Sequence, residues 1–322
     1  FLNIYNHMLS NTTILTSLYK PLISGHICRI FVWFYIFLSF LFGERIDCGK
    51  VVNNKIDEAS GIASSMNNKD LLWTHNDSGD LARVYAIGLD GSHRGVLRLS
   101  GTIPRDWEDM CIGPGPEHGF DYIYLADIGD NFSNRNKKII HRIKEPIIES
   151  DSLLAPFDIK TKDFETIVFK YPDGNRDAEA LMIDPLTKDI FILSKRESSV
   201  HLYRLAYPQS VSSVIMAEKV GSLTISPERR YYRSDQVTSA DISRDGEKIL
   251  IKTYYNVILI EKPKEDPMSS ILSSKQRNLY YIREIGGEAV CWRWDQEGYY
   301  TISEEVKDRP AHLYYYPFKF SN

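Results

Sequence analysis

The chain has 322 residues, 43% of them hydrophobic and 25% charged, enough to bury a sizeable core in one large all-β domain. A net charge of −4 supplies no basic footprint, so nucleic acid is not an expected partner. Twenty Tyr and fourteen Phe favour strands.

The first feature in chain order is an apolar run. Arg29 precedes "IFVWFYIFLSFLFG" (residues 30–43), and polar "ERIDCGK" follows at once. The run is short for a bilayer span and fits the apolar region of a signal peptide, with Gly43 tolerable at a cleavage site and Leu41 less suitable. An uncleaved signal anchor is the rival reading, and it is the one route to membrane contact. Either divides the chain into an N-terminal extension, residues 1–43, and a main domain, residues 44–322, facing the secretory lumen or the outside. Cleavage would leave Cys48, Cys111 and Cys291. Cys111 and Cys291 fall at one repeat position and read as small buried hydrophobes, not as a bridge.

From residue 58 onwards the chain repeats. "SGIASS" begins at Ser60, "EDMCIG" at Glu108, "EALMID" at Glu179, "SADISR" at Ser239 and "EAVCWR" at Glu288. A second strand follows each copy: "LLWTHND", "YIYLADIGDN", "IFILSKRE", "ILIKTYYN" and "YYTISEE". Third strands read "ARVYAIGLDG", "KIIHRIKE", "VHLYRLAYP", "NVILIEKP" and "AHLYYYPF", and fourth segments read "GVLRLSG", "TIVFKYP", "AEKVGSL" and "LYYIREIG". Four-stranded units at this spacing are the blades of a β-propeller, five by this reading, with a sixth conceivable between residues 143 and 176. The last copy lacks an outer strand, and "CGKVVNN" sits in the vacant slot at the start. Pairing N- and C-terminal strands near Val51 and Val52 would close the ring and remove two exposed edges. No segment after residue 43 keeps a helical apolar period.

Antiparallel blades bring the start of the first strand beside the end of the second. Glu58 and Ser60 then lie beside His75, Asn76 and Asp77. Asp106 and Glu108 lie beside Asp127, Asp130 and Asn131, and Asp177 and Glu179 beside Lys195 and Arg196. Glu288 lies beside Glu304, and Ser239 beside Thr253 and Tyr254. All these groups surround one mouth of the central channel, where facing carboxylates repel one another unless a cation neutralises them. Calcium suits such an all-oxygen set. Glu58, Asp106, Glu108, Asp127, Asp177, Glu179 and Glu288 are the candidate metal ligands, and Glu108 and Glu179 are expected to share one ion. Asn76, Asp77, Asp130, Asn131, Lys195, Arg196 and Glu304 are the candidate ligand-binding residues. His75 is the candidate general base, although a lone His near a turn also serves as polar packing. "NDSGD" and "DIGDN" could equally be plain hairpin turns, and Lys195 and Arg196 could simply balance Glu179 and Asp177. Asn76 and Asn131 head glycosylation sequons: either the asparagines are sequestered and unmodified, or glycans decorate the mouth of a secreted protein. Nucleophile-elbow, zinc-protease, P-loop and paired CxxC motifs are absent from the sequence.

The unit "RDAEALMIDPLTKDIFILSKRESSVHLYRL" resembles the acidic-x-Glu-Gly, strand, turn, strand unit of secreted calcium-bearing propellers. These include gluconolactonase-like and paraoxonase-like lactonases, propeller phytases and the bacterial SdiA-regulated propellers. "HNDSGD", "RDWEDM" and "ADIGDN" together also resemble an uncharacterised group of secreted, mostly bacterial propeller proteins. The resemblance spans residues 48–318. It departs where Ala180 and Asp109 replace the usual Gly and where five blades stand for six. It implies a propeller and calcium, and no particular reaction. Three functions follow as expectations: a secreted, calcium-binding, monomeric propeller whose mouth takes a ligand or protein partner; a calcium-dependent phosphoesterase or lactonase; and a propeller that only scaffolds interactions.

Overall fold

The computed structural model describes residues 44–149, 155–227, 231–307 and 309–318. The apolar run expected to be a signal or anchor lies outside them. Among the described residues no helix is long and apolar enough to cross a membrane.

The chain opens with β1 (Ile46–Lys50) and then builds blades from the channel outwards. The first blade is β2 (Ala59–Ser64), β3 (Leu71–Asn76), β4 (Arg83–Gly88) and β5 (His93–Leu99). The second starts with β6 (Trp107–Pro114), β7 (Asp121–Asp127) and β8 (Lys138–Lys144). The chain then returns to the first blade, where β9 (Phe157–Thr161) pairs parallel to β5, before β10 (Glu165–Lys170) completes the second. The third is β11 (Ala178–Ile183), β12 (Ile190–Ser194), β13 (Val200–Leu205) and β15 (Glu218–Leu223), with β14 (Ile215–Met216) added in parallel to β10. The fourth is β16 (Val237–Ile242), β17 (Lys248–Thr253), β18 (Val257–Glu261) and β19 (Gln276–Asn278). The fifth is β20 (Gly287–Trp292), β21 (Gly298–Ser303) and β22 (His312–Pro317), with β1 as its outer strand.

The molecule is therefore an all-β, five-bladed propeller whose innermost strands pack in a closed circle, β2 on β6, β11, β16, β20 and back to β2. Five apolar clusters fill the five gaps between neighbouring blades. One packs Tyr124, Ile140 and Phe169 of the second blade on Leu181, Ile192 and Tyr203 of the third. Another packs Ile62, Leu72 and Tyr85 of the first on Cys291, Tyr300 and Leu313 of the fifth. Strands β2 and β11 are buried at every position, because both faces of an inner strand meet a neighbouring blade. Near-continuous apolar runs such as "ALMI" thus replace strict alternation there.

The ring closes between the two ends of the domain, a few residues earlier than the sequence suggests: Ile46 faces Tyr315 and Lys50 faces His312. Val51 only adds one bond beyond the strand, to the Ala311 carbonyl at 2.8 Å, and Val52 is exposed. Residues 143–176 hold β9 and β10 as outer strands of the first and second blades, not a sixth blade. The fourth strand of the fourth blade also falls earlier, at residues 276–278, and "LYYIREIG" instead carries Tyr281 and Glu284 back towards the centre. Trp73, Trp107 and Trp292 are buried in blade contacts, whereas Trp294 is 43% exposed. Cys111 and Cys291 are buried free thiols.

Polar bolts join the inner strands of different blades. The Ser64 hydroxyl donates to the Trp292 carbonyl at 2.7 Å, and Asp241 accepts the Trp292 N–H at 2.8 Å. Asp109, the acid standing where the resembling families carry Gly, accepts from three groups of two other blades: Leu181 N–H at 2.9 Å, Ala240 N–H at 3.2 Å and the Ser239 hydroxyl at 3.0 Å.

Candidate functional site

Every inner strand carries the same irregularity one residue after its start. The ladder skips between Ala59 and Gly61, Trp107 and Asp109, Ala178 and Ala180, Val237 and Ser239, and Gly287 and Ala289. The unpaired residues are Ser60, Glu108, Glu179, Thr238 and Glu288. A bulge of this kind re-aims its side chain out of the pleat, which is how an acid at the head of a buried strand can be turned towards the channel. In the fourth blade the bulged residue is Thr238, one position before the expected Ser239. The two hydroxyl positions act alike: Ser60 donates to the Glu108 carbonyl and Thr238 to the Glu288 carbonyl, each at 2.6 Å.

The glutamates gather with their neighbours into two trios, each with ligand oxygens within 4.8 Å of one another: Asp77, Asp106 and Glu108, and Glu108, Asp177 and Glu179. Glu108 belongs to both, is 3% exposed, and its carboxylate has no hydrogen bond or ion pair among the described residues. The side chains of Asp106, Glu288 and Glu304 likewise have none, and Asp77 Oδ1 is buried without a hydrogen-bond partner. Gly129 closes over the first trio so tightly that a Cβ there would lie 2.0 Å from Glu108 Oε1 and 2.5 Å from Asp106 Oδ2.

Burial and the neighbouring carboxylates hold Asp77, Asp106, Glu108, Glu179 and Glu304 towards their protonated forms. Burial first, then Glu179, Asp77 and Asp106, raises the Glu108 carboxyl well above its usual range. Asp77 is pushed up to about 7 by burial, Asp106, Glu288 and Glu58. Glu304 is pushed up to about 8 by burial, Glu288, Asp77 and Glu58. Burial dominates at Glu179 too, and with Glu288 and Asp177 it lifts that carboxyl to about 8 against the pull of Lys195. These repulsions connect the first, second, third and fifth blades at one mouth.

Two cations serve the second trio. Lys195 Nζ pairs with Glu179 and donates to the Tyr254 hydroxyl at 2.9 Å. Arg196 Nε lies 2.5 Å from Asp177, whose other oxygen accepts the Asp130 N–H at 2.8 Å. Tyr254 was legible only as a neighbour of the fourth strand-head, and Asp109 only as a departure from Gly.

Several expected site residues have partners or positions of their own outside the two trios. Asp127 is held by Arg135 at 2.5 Å and by the Arg105 N–H at 3.0 Å, so both its oxygens are already engaged. Asp130 accepts from Asn134 N–H and Arg135 N–H, each at 2.9 Å, and pairs with buried Lys138 at 3.0 Å. Glu58 is exposed and stands outside both trios, in a groove with Asp57, Asp80 and Arg83. Asn76 is buried, donating through Nδ2 to the Lys55 carbonyl at 2.6 Å and to Asp57 and Asp80 at 3.1 Å. Asn131 is exposed and accepts from Arg196. His75 is wholly buried, its ring edge-on to Trp107 at 5.6 Å and its Nδ1 on the Asn76 carbonyl at 2.8 Å. Burial drives its pKa down to about 4. It is a packed, neutral imidazole that a substrate at the mouth cannot reach.

No family model matches the chain, and no curated protein matches it. Among solved structures it is similar to a luciferin-regenerating enzyme at 9% identity and TM-score 0.42, over 85% of this chain and 96% of that one. It is also similar to the RRP9 WD40 repeats at 9% identity and TM-score 0.38, over 80% of this chain and 79% of that one. At these values neither likeness carries a functional argument, and the chemistry rests on the mouth itself.

Proposed function

We propose that this propeller binds a divalent cation in the acidic mouth of its channel, and that ion and rim together form a binding place for a ligand or protein partner. The observation that carries the reading is Glu108, a 3% exposed carboxylate shared by two acidic trios and partnered by nothing else among the described residues. A buried acid is normally paired or hydrogen-bonded, and a cation supplies what the side chains around Glu108 do not. The donors are carboxylate oxygens without His or Cys, which favours calcium over softer metals. We further propose that residues 30–42 direct the chain into the secretory route, by cleavage or as an anchor, where calcium is abundant.

Calcium titration by calorimetry tests the reading, together with the melting temperature with and without the ion. An ion that binds only the folded ring raises that temperature. Absence of both heat and shift at millimolar calcium would discard it. A hydrolytic role would need a base other than His75. Asp77 and Glu304, held near neutral values, are the groups in the working range of general acid–base catalysis. Turnover of phosphate esters or lactones that depends on calcium is the result that would favour the enzyme over a binding protein.

A further inference from the structure

We infer that the mouth seats a single divalent ion, on Asp77, Asp106 and Glu108, and that the Lys195 ammonium is the built-in cation of the neighbouring trio. This rests on the cation reading above and assigns the ion its seat and its stoichiometry. Two trios sharing Glu108 look at first like a two-metal centre. Their partners differ completely.

In the second trio Glu179 is paired with Lys195, the two side chains being 4% and 7% exposed. The lysine also donates to the Tyr254 hydroxyl at 2.9 Å. Asp177 has its own cation, Arg196, at 2.5 Å, and a main-chain donor at 2.8 Å. A divalent ion placed there would have to displace a buried ammonium or sit against it. The first trio offers the opposite. Neither the Asp106 nor the Glu108 carboxylate has a hydrogen bond or ion pair among the described residues, and Asp77 Oδ1 is buried without a hydrogen-bond partner. Gly129 presses main chain against both the Glu108 and Asp106 carboxylates, leaving them to face the same space. Charge and coordination therefore favour one trio for the ion and the other for the lysine. Glu108 is the bridge between metal and ammonium.

The experiment is calcium calorimetry on the purified, chelator-treated protein and three variants. The parent is expected to bind one ion. Glu108→Gln should weaken binding by about tenfold or more, because affinity follows the charge of the ligands. Lys195→Met with Glu179→Gln removes the ion pair without changing net charge, and should keep one ion with affinity within about threefold of the parent. Lys195→Met alone frees Glu179 and should admit a second ion. Should that single variant fail to fold, the charge-neutral double variant still decides the matter. Two ions in the parent, or a double variant as impaired as Glu108→Gln, would overturn the assignment while leaving a cation-binding mouth. No calcium heat in any of the four proteins would overturn the mouth as a cation site altogether, and this assignment with it.

Discussion

The Asp109 carboxylate, on the innermost strand of the second blade, accepts the main-chain N–H of Leu181 in the third blade at 2.9 Å. It reaches on to Ala240 and Ser239 in the fourth, so one side chain ties three blades across the channel. Strand pairing cannot do this, because each blade is a separate sheet.

Asp109→Ala should therefore be among the more damaging single changes in the ring. It strands three buried donors and leaves a cavity, for which a loss of about 3 kcal/mol or more is expected. Asp109→Asn should cost far less, since burial already favours the uncharged acid, which the amide imitates. Denaturant melts of the two variants make the comparison. Equal losses would mean that the ionised carboxylate matters.

The mouth makes a pH prediction for the metal-free protein. Asp77, Glu179 and Glu304 have folded-state values of about 7, 8 and 8, above the unfolded range near 4. The folded chain thus holds more protons than the unfolded one between roughly pH 4 and 8, and stability falls as pH rises through the folded values. The melting temperature without calcium should decline from pH 6 to 9. Calcium, which binds the deprotonated acids, should flatten or reverse that slope. Thermal melts across this range with chelator and with excess calcium would show it, and a slope indifferent to calcium would detach these acids from any ion.

How much of this could be read in the sequence depends on what each residue needs. The blades were legible because an apolar strand between Gly, Asn and Asp turns announces itself locally, and the glutamates stood out because acids are poor strand residues. The bulge was not legible: a one-residue skip in pairing leaves no mark on composition, and Thr238 and Ser239 are equally plausible hydroxyls for the fourth blade. Nor could an acidic column reveal which acids already own a cation. Asp127 and Asp130 belong to Arg135 and Lys138, which lie a few residues further along the same loop and strand. His75 looked available beside a turn, but Gly61 has no side chain, and the imidazole fills the room: a Cβ there would lie 2.3 Å from His75 Nε2.

The two sequons make opposite demands. Asn76 spends its amide nitrogen on three acceptors inside the fold, whereas Asn131 is exposed beside Arg196. Expressed through a secretory pathway, the protein should carry glycan at Asn131 and not at Asn76. Mass spectrometry of the parent, of Ser133→Ala and of Ser78→Ala checks this: only the first substitution should remove the modification. Glycan at Asn76 would mean that the first-blade turn is attacked before it folds.

Closure of the ring supplies the last prediction. Strand β22 pairs with β21 on one side and with N-terminal β1 on the other, from Ile46 against Tyr315 to Lys50 against His312. It also feeds two of the five inter-blade cores, Leu313 into the one shared with the first blade and Tyr316 into the one shared with the fourth. Ending the chain after Lys307 would remove all of these at once, leave β1 without a partner and expose the edges of β21 and β1. Because each core is shared by two blades, the loss should spread around the circle. The shortened protein should melt far below the full chain and with a broader transition, as followed by calorimetry. Leu313→Ala probes the same closure more gently, at an expected cost of about 2–5 kcal/mol for a fully buried leucine. A shortened chain that melted with the parent's temperature and sharpness would show that the other four blades stand without the clasp.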